Sequence, residues 1–177
     1  MKTSTKGIAG ASVAAVIALT TAFVQPWEGR SLQAYRDIVG VWTICDGETK
    51  GVKPGQVATP AECDSMLYKS LLGYKAQLDA CLTYPLPLKT AAAFLSWTYN
   101  VGAGAACSST LVKLANRGDL VGACNQLPRW NRAGGQVVKG LTNRRLAELQ
   151  LCLEGVREDH AVSWDDTELQ YFHGEVA

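Results

Sequence analysis

Glu28 and Asp37 are carboxylates nine positions apart, and a hydroxyl, Thr43, follows six positions later. Two carboxylates flanking a scissile bond are what glycoside hydrolysis needs. One must carry a proton for the leaving oxygen, and the other must be ionised to steer water or stabilise the positive sugar. On its own such a pair is weak evidence, because most Glu/Asp pairs are solvated surface charges. The string around it is more specific. From residue 28 to residue 49 it reads E-G-R-S-L-Q-A-Y-R-D-I-V-G-V-W-T-I-C-D-G-E-T, with Leu32, Ala34 and Tyr35 before Asp37, and Gly40, Trp42, Cys45 and Gly47 around Thr43.

The elements that must position these groups are legible in outline. After Glu28 a short turn of chain is expected, then a small sheet. Val41 to Ile44 have strand propensity and Asp46-Gly47 is a hairpin signal. Lys50-Gly51 and Pro54-Gly55 are further turns, so a small β lobe ends near Val57. Thr59-Pro60-Ala61-Glu62 reads as a helix start, with a capping Thr, Pro at the first position and Glu three after the cap. Leu67, Leu71, Leu72 and Leu78 then recur at helical spacing, which predicts a long helix to about Leu82. Thr90 to Val101 is apolar nearly all round and predicts a buried central helix ending at Asn100-Val101-Gly102. Further helices are expected over Leu111 to Asn116, Leu120 to Leu127 and Thr142 to Glu154, the last capped at Thr142 or Asn143.

At the N-terminus, Lys2 and Lys6 precede 18 uncharged residues, Gly7 to Val24. As a helix this stretch would be roughly 27 Å long, just enough for a bilayer core, and the two lysines place its start on the cytoplasmic side. Eleven of the 18 residues are Gly, Ala, Ser or Thr, so its apolarity is marginal. A cleaved signal peptide and a permanent anchor are alternatives. The segment resembles a signal-anchor-release segment, which is exported uncleaved, held in the membrane and later released. Only Gln25, Pro26 and Trp27 separate it from Glu28. While inserted, it would keep Glu28 at the headgroup boundary, away from Asp37 and Thr43. What the resemblance implies is that part of residues 7–27 then leaves the membrane and refolds as the helix that ends on Glu28.

Charge is uneven. The net charge is +1, yet residues 158–177 hold six acids and no Lys or Arg, leaving 17 basic against 10 acidic residues elsewhere. A basic body suits an anionic partner such as peptidoglycan or lipid headgroups, or is an ordinary solvated surface. No basic stripe with interleaved aromatics points to nucleic acid. The six cysteines, Cys45, Cys63, Cys81, Cys107, Cys124 and Cys152, form no C-x-x-C pair, and both histidines lie in the tail. A zinc site is therefore not expected. Three disulfides in an oxidising compartment are, with 15 connectivities open and six buried free thiols in a cytosolic protein as the alternative.

Glu-x8-Asp-x5-Thr, with Leu-x-Ala-Tyr-x-Asp-x-x-Gly and Trp-Thr-x-Cys-x-Gly inside it, resembles the catalytic segment of phage-type lysozymes, glycoside hydrolase family 24. Tyr-Asn-x-Gly-x-Gly at residues 99–104 resembles the family's central helix end. Trp-x-x-Ala-Gly-Gly from Trp130, and Gly-Leu-x-x-Arg-Arg-x-x-Glu from Gly140, also resemble phage endolysins.

The resemblance implies an α+β, mainly helical, two-lobed lysozyme-like fold: a small β-hairpin lobe, a long connecting helix and an α-helical lobe, preceded by an N-terminal membrane-anchor segment. The expected divisions are a signal-anchor-release segment over 1–27, a catalytic domain over 28–157 and an acidic extension over 158–177, the last a short helix or without fixed structure. Neighbour pairing of the cysteines, Cys45–Cys63, Cys81–Cys107 and Cys124–Cys152, would join elements adjacent in such a fold.

It also implies a muramidase acting on the β-1,4 bond between N-acetylmuramic acid and N-acetylglucosamine. Glu28 would be the general acid, Asp37 and Thr43 would position a water for inversion, and no cofactor or metal would be needed. Tyr35 and Asn100 are candidate substrate contacts. Arg144 and Arg145 are candidates to meet glycan or peptide carboxylates, with a structural ion pair as the alternative for one of them. The expected partners are peptidoglycan and, before release, the inner membrane through residues 7–24, with the protein a monomer in the periplasm. Two rival readings remain: a lytic transglycosylase on the same substrate, and a non-enzymatic membrane-anchored lysis protein.

Overall fold

The computed structural model describes residues 12–37 and 40–171, with side chains to residue 159. Ser12 opens the first helix, α1 (Val13–Glu28), by accepting a hydrogen bond from the Ala15 amide. Val16, Ile17, Thr20 and Val24 lie on one face of α1 and are buried. The one buried hydroxyl among them is satisfied, because Thr20 Oγ1 donates to the Val16 carbonyl at 2.7 Å. α1 therefore runs across the division expected at residues 27 and 28, and its apolar face belongs to the main core.

The expected membrane anchor is not shown among the described residues. Residues 1–11, including the start of the Gly7–Val24 stretch, lie outside the described residues. Among the described residues no helix is long and apolar enough to cross a membrane. The described part of that stretch forms α1, which has 16 residues.

Gly29, at φ 62°, stops α1 in the left-handed region and turns the chain into strand β1 (Ser31–Arg36). A turn of chain was expected there. Instead β1 pairs antiparallel with β2 (Trp42–Cys45), setting Tyr35 opposite Thr43 and Arg36 opposite Trp42. The Asp46-Gly47 turn forms as its sequence suggests: Ile44 and Glu48 exchange two backbone hydrogen bonds of 2.9 Å across it. Ile44, Cys45, Ala58 and Cys63 make a small core under this lobe.

Helix α2 (Pro60–Asp79) starts in a complete capping box between Thr59 and Glu62 and buries Cys63, Leu67, Leu71 and Leu78. It connects the β lobe to helix α3 (Leu88–Val101), buried continuously from Thr90 to Thr98. Short helices follow: α4 (Ala103–Ser108), α5 (Thr110–Ala115) and α6 (Leu120–Cys124), then a 3-10 turn, Leu127–Arg129. Besides β1, two elements differ from the sequence expectation. One is α4. The other is a small hairpin of β3 (Arg132–Ala133) and β4 (Gln136–Val137), turned by Gly134 and Gly135.

The last helix, α7 (Lys139–Tyr171), begins before the expected cap and continues past residue 157. Glu158, in the expected acidic extension, is tied back to α3 by Lys89 at 2.5 Å. α7 packs against α3. Gly155 permits the closest approach, because a Cβ there would come within 2.6 Å of the Thr90 backbone nitrogen. Three disulfides join Cys45 to Cys63, Cys81 to Cys107 and Cys124 to Cys152, the neighbour pairing that the resemblance implies. Among the described residues the fold is mostly helical, with two small antiparallel sheets.

Candidate active site

Glu28 is the last residue of α1, where the helix meets the β lobe. A polar cleft of about 240 Å³ opens beside it, lined among the described residues by Glu28, Gly47, Glu48, Ser70, Tyr99 and Asn100, with Asp46, Thr49 and Tyr74 completing the wall. Glu28 has 17% of its side-chain surface exposed. Its Oε1 accepts from Arg144 Nη1 at 2.6 Å, and its Oε2 faces Gly47, where a Cβ would lie 3.9 Å away. One carboxylate oxygen is thus anchored to α7 and the other is directed toward the turn after β2.

Asp37 and Thr43 are brought together on the hairpin through one intervening peptide. Val41 donates its amide to Asp37 Oδ1 at 2.8 Å, and its carbonyl accepts from Thr43 Oγ1 at 3.1 Å. Thr43 is buried, whereas Tyr35, opposite it in register, is exposed. Neither Asp37 nor Thr43 is part of the described lining of the Glu28 cleft. Asn100 is, at the cleft's α3 side.

Arg144 and Arg145 lie underneath the cleft. Arg144 donates Nε to Glu148 Oε1 at 3.2 Å and Nη2 to the Ser96 carbonyl at 3.3 Å. Arg145 is fully buried, with Nη2 shared between Asn100 Oδ1 at 3.2 Å and Glu148 Oε1 at 3.1 Å. Its Nε also lies 2.8 Å from Glu148 Oε2, although the angle makes this an ion contact without a proper hydrogen bond. Both guanidiniums therefore engage protein carboxylates, and Arg145 has no surface to offer a ligand. Burial pushes Arg145 down to about 10, opposed mainly by Glu148. Burial likewise pushes the Glu148 carboxyl up, opposed by Arg145, Ser96 and Arg144.

A second set of contacts fixes the end of α1. Arg30 binds Asp46 through both carboxylate oxygens, at 3.1 and 2.8 Å, and reaches Asp64 at 2.8 Å. The hydrogen bond to the buried Asp46 is the main reason its guanidinium is held above its ordinary value. Gln25 adds a 3.1 Å bond to Asp64. On the opposite wall, Tyr99 donates to the Asp46 carbonyl at 2.9 Å, and burial followed by the Glu28 charge raises its phenol. Ser70 Oγ donates to Glu48 Oε2 at 2.6 Å.

Arg30, Asp46, Glu48, Ser96 and Tyr99 carry no local signature of a site. Glu148 does have one. It stands four and three residues after Arg144 and Arg145, so helical periodicity puts all three on one side of α7.

Comparison with known proteins gives this geometry a family. The sequence profile of phage lysozyme matches residues 25–148. The SAR-endolysin of Enterobacteria phage PA-2 is 45% identical over 129 residues, covering 72% of this chain and 78% of that protein. The SAR-endolysin of Pseudomonas phage phiKMV is 38% identical over 163 residues, covering 90% and 99%. Among solved structures, the muramidase domain of SpmX from Asticaccaulis excentricus superposes with a TM-score of 0.69 at 28% identity, over 80% of this chain and 96% of that one. The active form of P1 phage endolysin Lyz superposes with a TM-score of 0.68 at 25% identity, over 85% and 98%. By profile, relatives and fold alike, the chain belongs to the phage lysozyme family.

Proposed function

We propose that this protein is a phage endolysin that hydrolyses the β-1,4 bond between N-acetylmuramic acid and N-acetylglucosamine in peptidoglycan, inactive while tethered to the host inner membrane and active once released into the periplasm. The observation that carries the reading is the placement of Glu28 at the end of α1, bordering a polar cleft, with one oxygen held by Arg144. A carboxyl group so placed borders the space a glycosidic oxygen would enter, and its Oε2 is not the oxygen that Arg144 holds. Asp37 and Thr43, coupled through Val41, would hold a water on the far face of the sugar and give inversion without a covalent intermediate. No cofactor enters this scheme, and a monomer suffices.

Control follows from α1. Val16, Ile17 and Val24 are the apolar residues an inserted segment would give to lipid, and here they are in the core. One helix cannot do both at once. Insertion of residues 7–24 would hold Glu28 away from the cleft, and docking of α1 would deliver it.

The test is Glu28→Gln, which is expected to fold normally and to lose wall lysis. Wild-type lysis by that variant would end the proposal. Mass spectrometry of the products separates the chemistry. Reducing muramic acid ends fit hydrolysis, whereas 1,6-anhydromuramic ends would make the protein a lytic transglycosylase.

A further inference from the structure

Below the cleft lies a fully buried carboxylate that the proposed chemistry does not use. Glu148 Oε1 accepts from Ser96 Oγ at 2.7 Å, Arg144 Nε at 3.2 Å and Arg145 Nη2 at 3.1 Å. A buried charge is costly, and a core needs no such group for stability alone, since apolar residues of similar volume commonly serve as well or better. Its two arginines lead to different places. Arg144 continues to Glu28, and Arg145 continues to Asn100, and both of those residues line the cleft.

We infer that Glu148 is a positioning residue: through Arg144 it fixes the orientation of Glu28, and through Arg145 that of Asn100. This rests on the reading of Glu28 as the general acid. The geometry supports it closely. Three nitrogens of Arg144 are held by three acceptors on three elements, Glu148 on α7, the Ser96 carbonyl on α3 and Glu28 at the end of α1. A guanidinium is rigid and planar, so fixing Nε on Glu148 fixes the direction of Nη1. Without that bond Arg144 can still meet Glu28, but it no longer dictates where Glu28 sits. Catalysis is sensitive to misplacements of this size. Glu148 also divides the charge. Arg144 lies between two carboxylates, so its hold on Glu28 is shared. Among the described residues the other charged or titratable groups around Glu28 are Arg145 on α7, Tyr99 on α3, and Asp46 and Glu48 at the turn after β2.

The test uses soluble full-length protein and labelled peptidoglycan, with kcat and KM measured across pH. E148Q keeps the shape and removes the charge. It is expected to lower kcat at least tenfold (order of magnitude) in a folded protein. It should also move the alkaline limb of the kcat profile to lower pH, because Arg144 then has Glu28 as its one carboxylate partner. In an R144M background the same substitution should lower kcat by a clearly smaller factor, since the arm to Glu28 is already cut and only the arm through Arg145 to Asn100 remains. Losses that add across the two backgrounds, or a folded E148Q at the wild-type rate and profile, overturn the inference. Should E148Q not fold, S96A removes one donor to Glu148 and enters the same cycle. A folded S96A at the wild-type rate and profile is equally fatal. A wild-type protein that releases no reducing ends would sink the muramidase reading itself, which is a separate outcome.

Discussion

Arg144 Nη1 and Glu28 Oε1 lie 2.6 Å apart although 116 residues separate them in the chain. The bond closes the fold on itself, joining the end of the first helix to the start of the last. Arg144→Lys tests what the guanidinium contributes beyond charge. A single ammonium cannot hold Glu148, the Ser96 carbonyl and Glu28 together. The expected result is a loss of about 3 kcal/mol in stability, typical of breaking a buried pair, and a rate about 100-fold lower, as for a small misplacement. Urea melts and reducing-end assays measure the two separately. A lysine variant at full rate would show that charge alone suffices.

The raised carboxyl of Glu148 makes a stability prediction of definite sign. Its folded-state value lies above the ordinary 4.5 because burial outweighs Arg145, Ser96 and Arg144. Between 4.5 and the folded value the native state therefore binds more protons than the unfolded chain. This contribution makes stability fall as pH rises through that window. In E148Q the group is absent, so thermal midpoints relative to wild type should climb from acid toward neutral pH. A difference that shrinks instead would mean the two arginines win over burial. The pattern also bears on function, since a variant that gains stability and loses rate points to a group kept for the site.

Much of this arrangement is legible in the sequence, and the exceptions have physical causes. The α2 start is readable because Thr59, Pro60 and Glu62 each act locally. The Asp46-Gly47 turn is readable for the same reason. Strand β1 is not: a strand owes its existence to a partner, and Tyr35 and Arg36 find theirs in Thr43 and Trp42. The β3–β4 hairpin has its cue in Gly134-Gly135, both in the left-handed region. Arg30 and Asp46 meet 16 residues apart through the path of the chain, with no periodicity to announce it. The α1 segment is ambiguous in principle, because a helix face made for a core and one made for lipid use the same residues.

The Cys45–Cys63 disulfide has a neighbour relationship that the other two lack. Asp46 and Asp64 follow its two cysteines, and both bind Arg30. The bridge thus holds together the socket for the end of α1. Replacing both cysteines by alanine should cost about 3 kcal/mol from loop entropy. It should also loosen the α1 end, read as faster amide exchange at residues 24–28 and a lower lytic rate. The Cys81–Cys107 pair closes a loop of similar length away from Arg30. Its removal should cost comparable stability with less effect on rate. Equal rate losses from the two replacements would detach the socket from activity.

Arg30 itself gives a sharper version of that test. Arg30→Met leaves the Asp46 carboxylate buried without its bidentate partner, which is expected to cost about 3 kcal/mol. Adding Asp46→Asn removes the stranded charge and should return much of the stability. Activity should recover less than stability, because the tie between α1 and the β2 turn is still missing. Denaturation and turnover measured on the single and double variants decide it. Full recovery of both would reduce Arg30–Asp46 to a charge pair with no part in placing Glu28.

The release reading can be separated from the fold by substitutions on the solvent side of α1. Ala18 and Ala22 are exposed when α1 is docked, whereas Val16, Ile17, Thr20 and Val24 face the core. A18L/A22L therefore leaves the packed face untouched. In a bilayer the same two leucines make the segment more apolar, each by roughly 0.5 kcal/mol, which is enough to matter in a segment of marginal hydrophobicity. The doubly substituted protein, once soluble, should degrade peptidoglycan at the wild-type rate. Expressed in a bacterium, it should stay longer in the membrane fraction, and lysis should be delayed. Timed fractionation beside turbidity, before and after a membrane uncoupler, makes the comparison. If lysis and partition match the wild type while soluble activity is intact, membrane residence does not control this protein, and α1 is only a helix of the core.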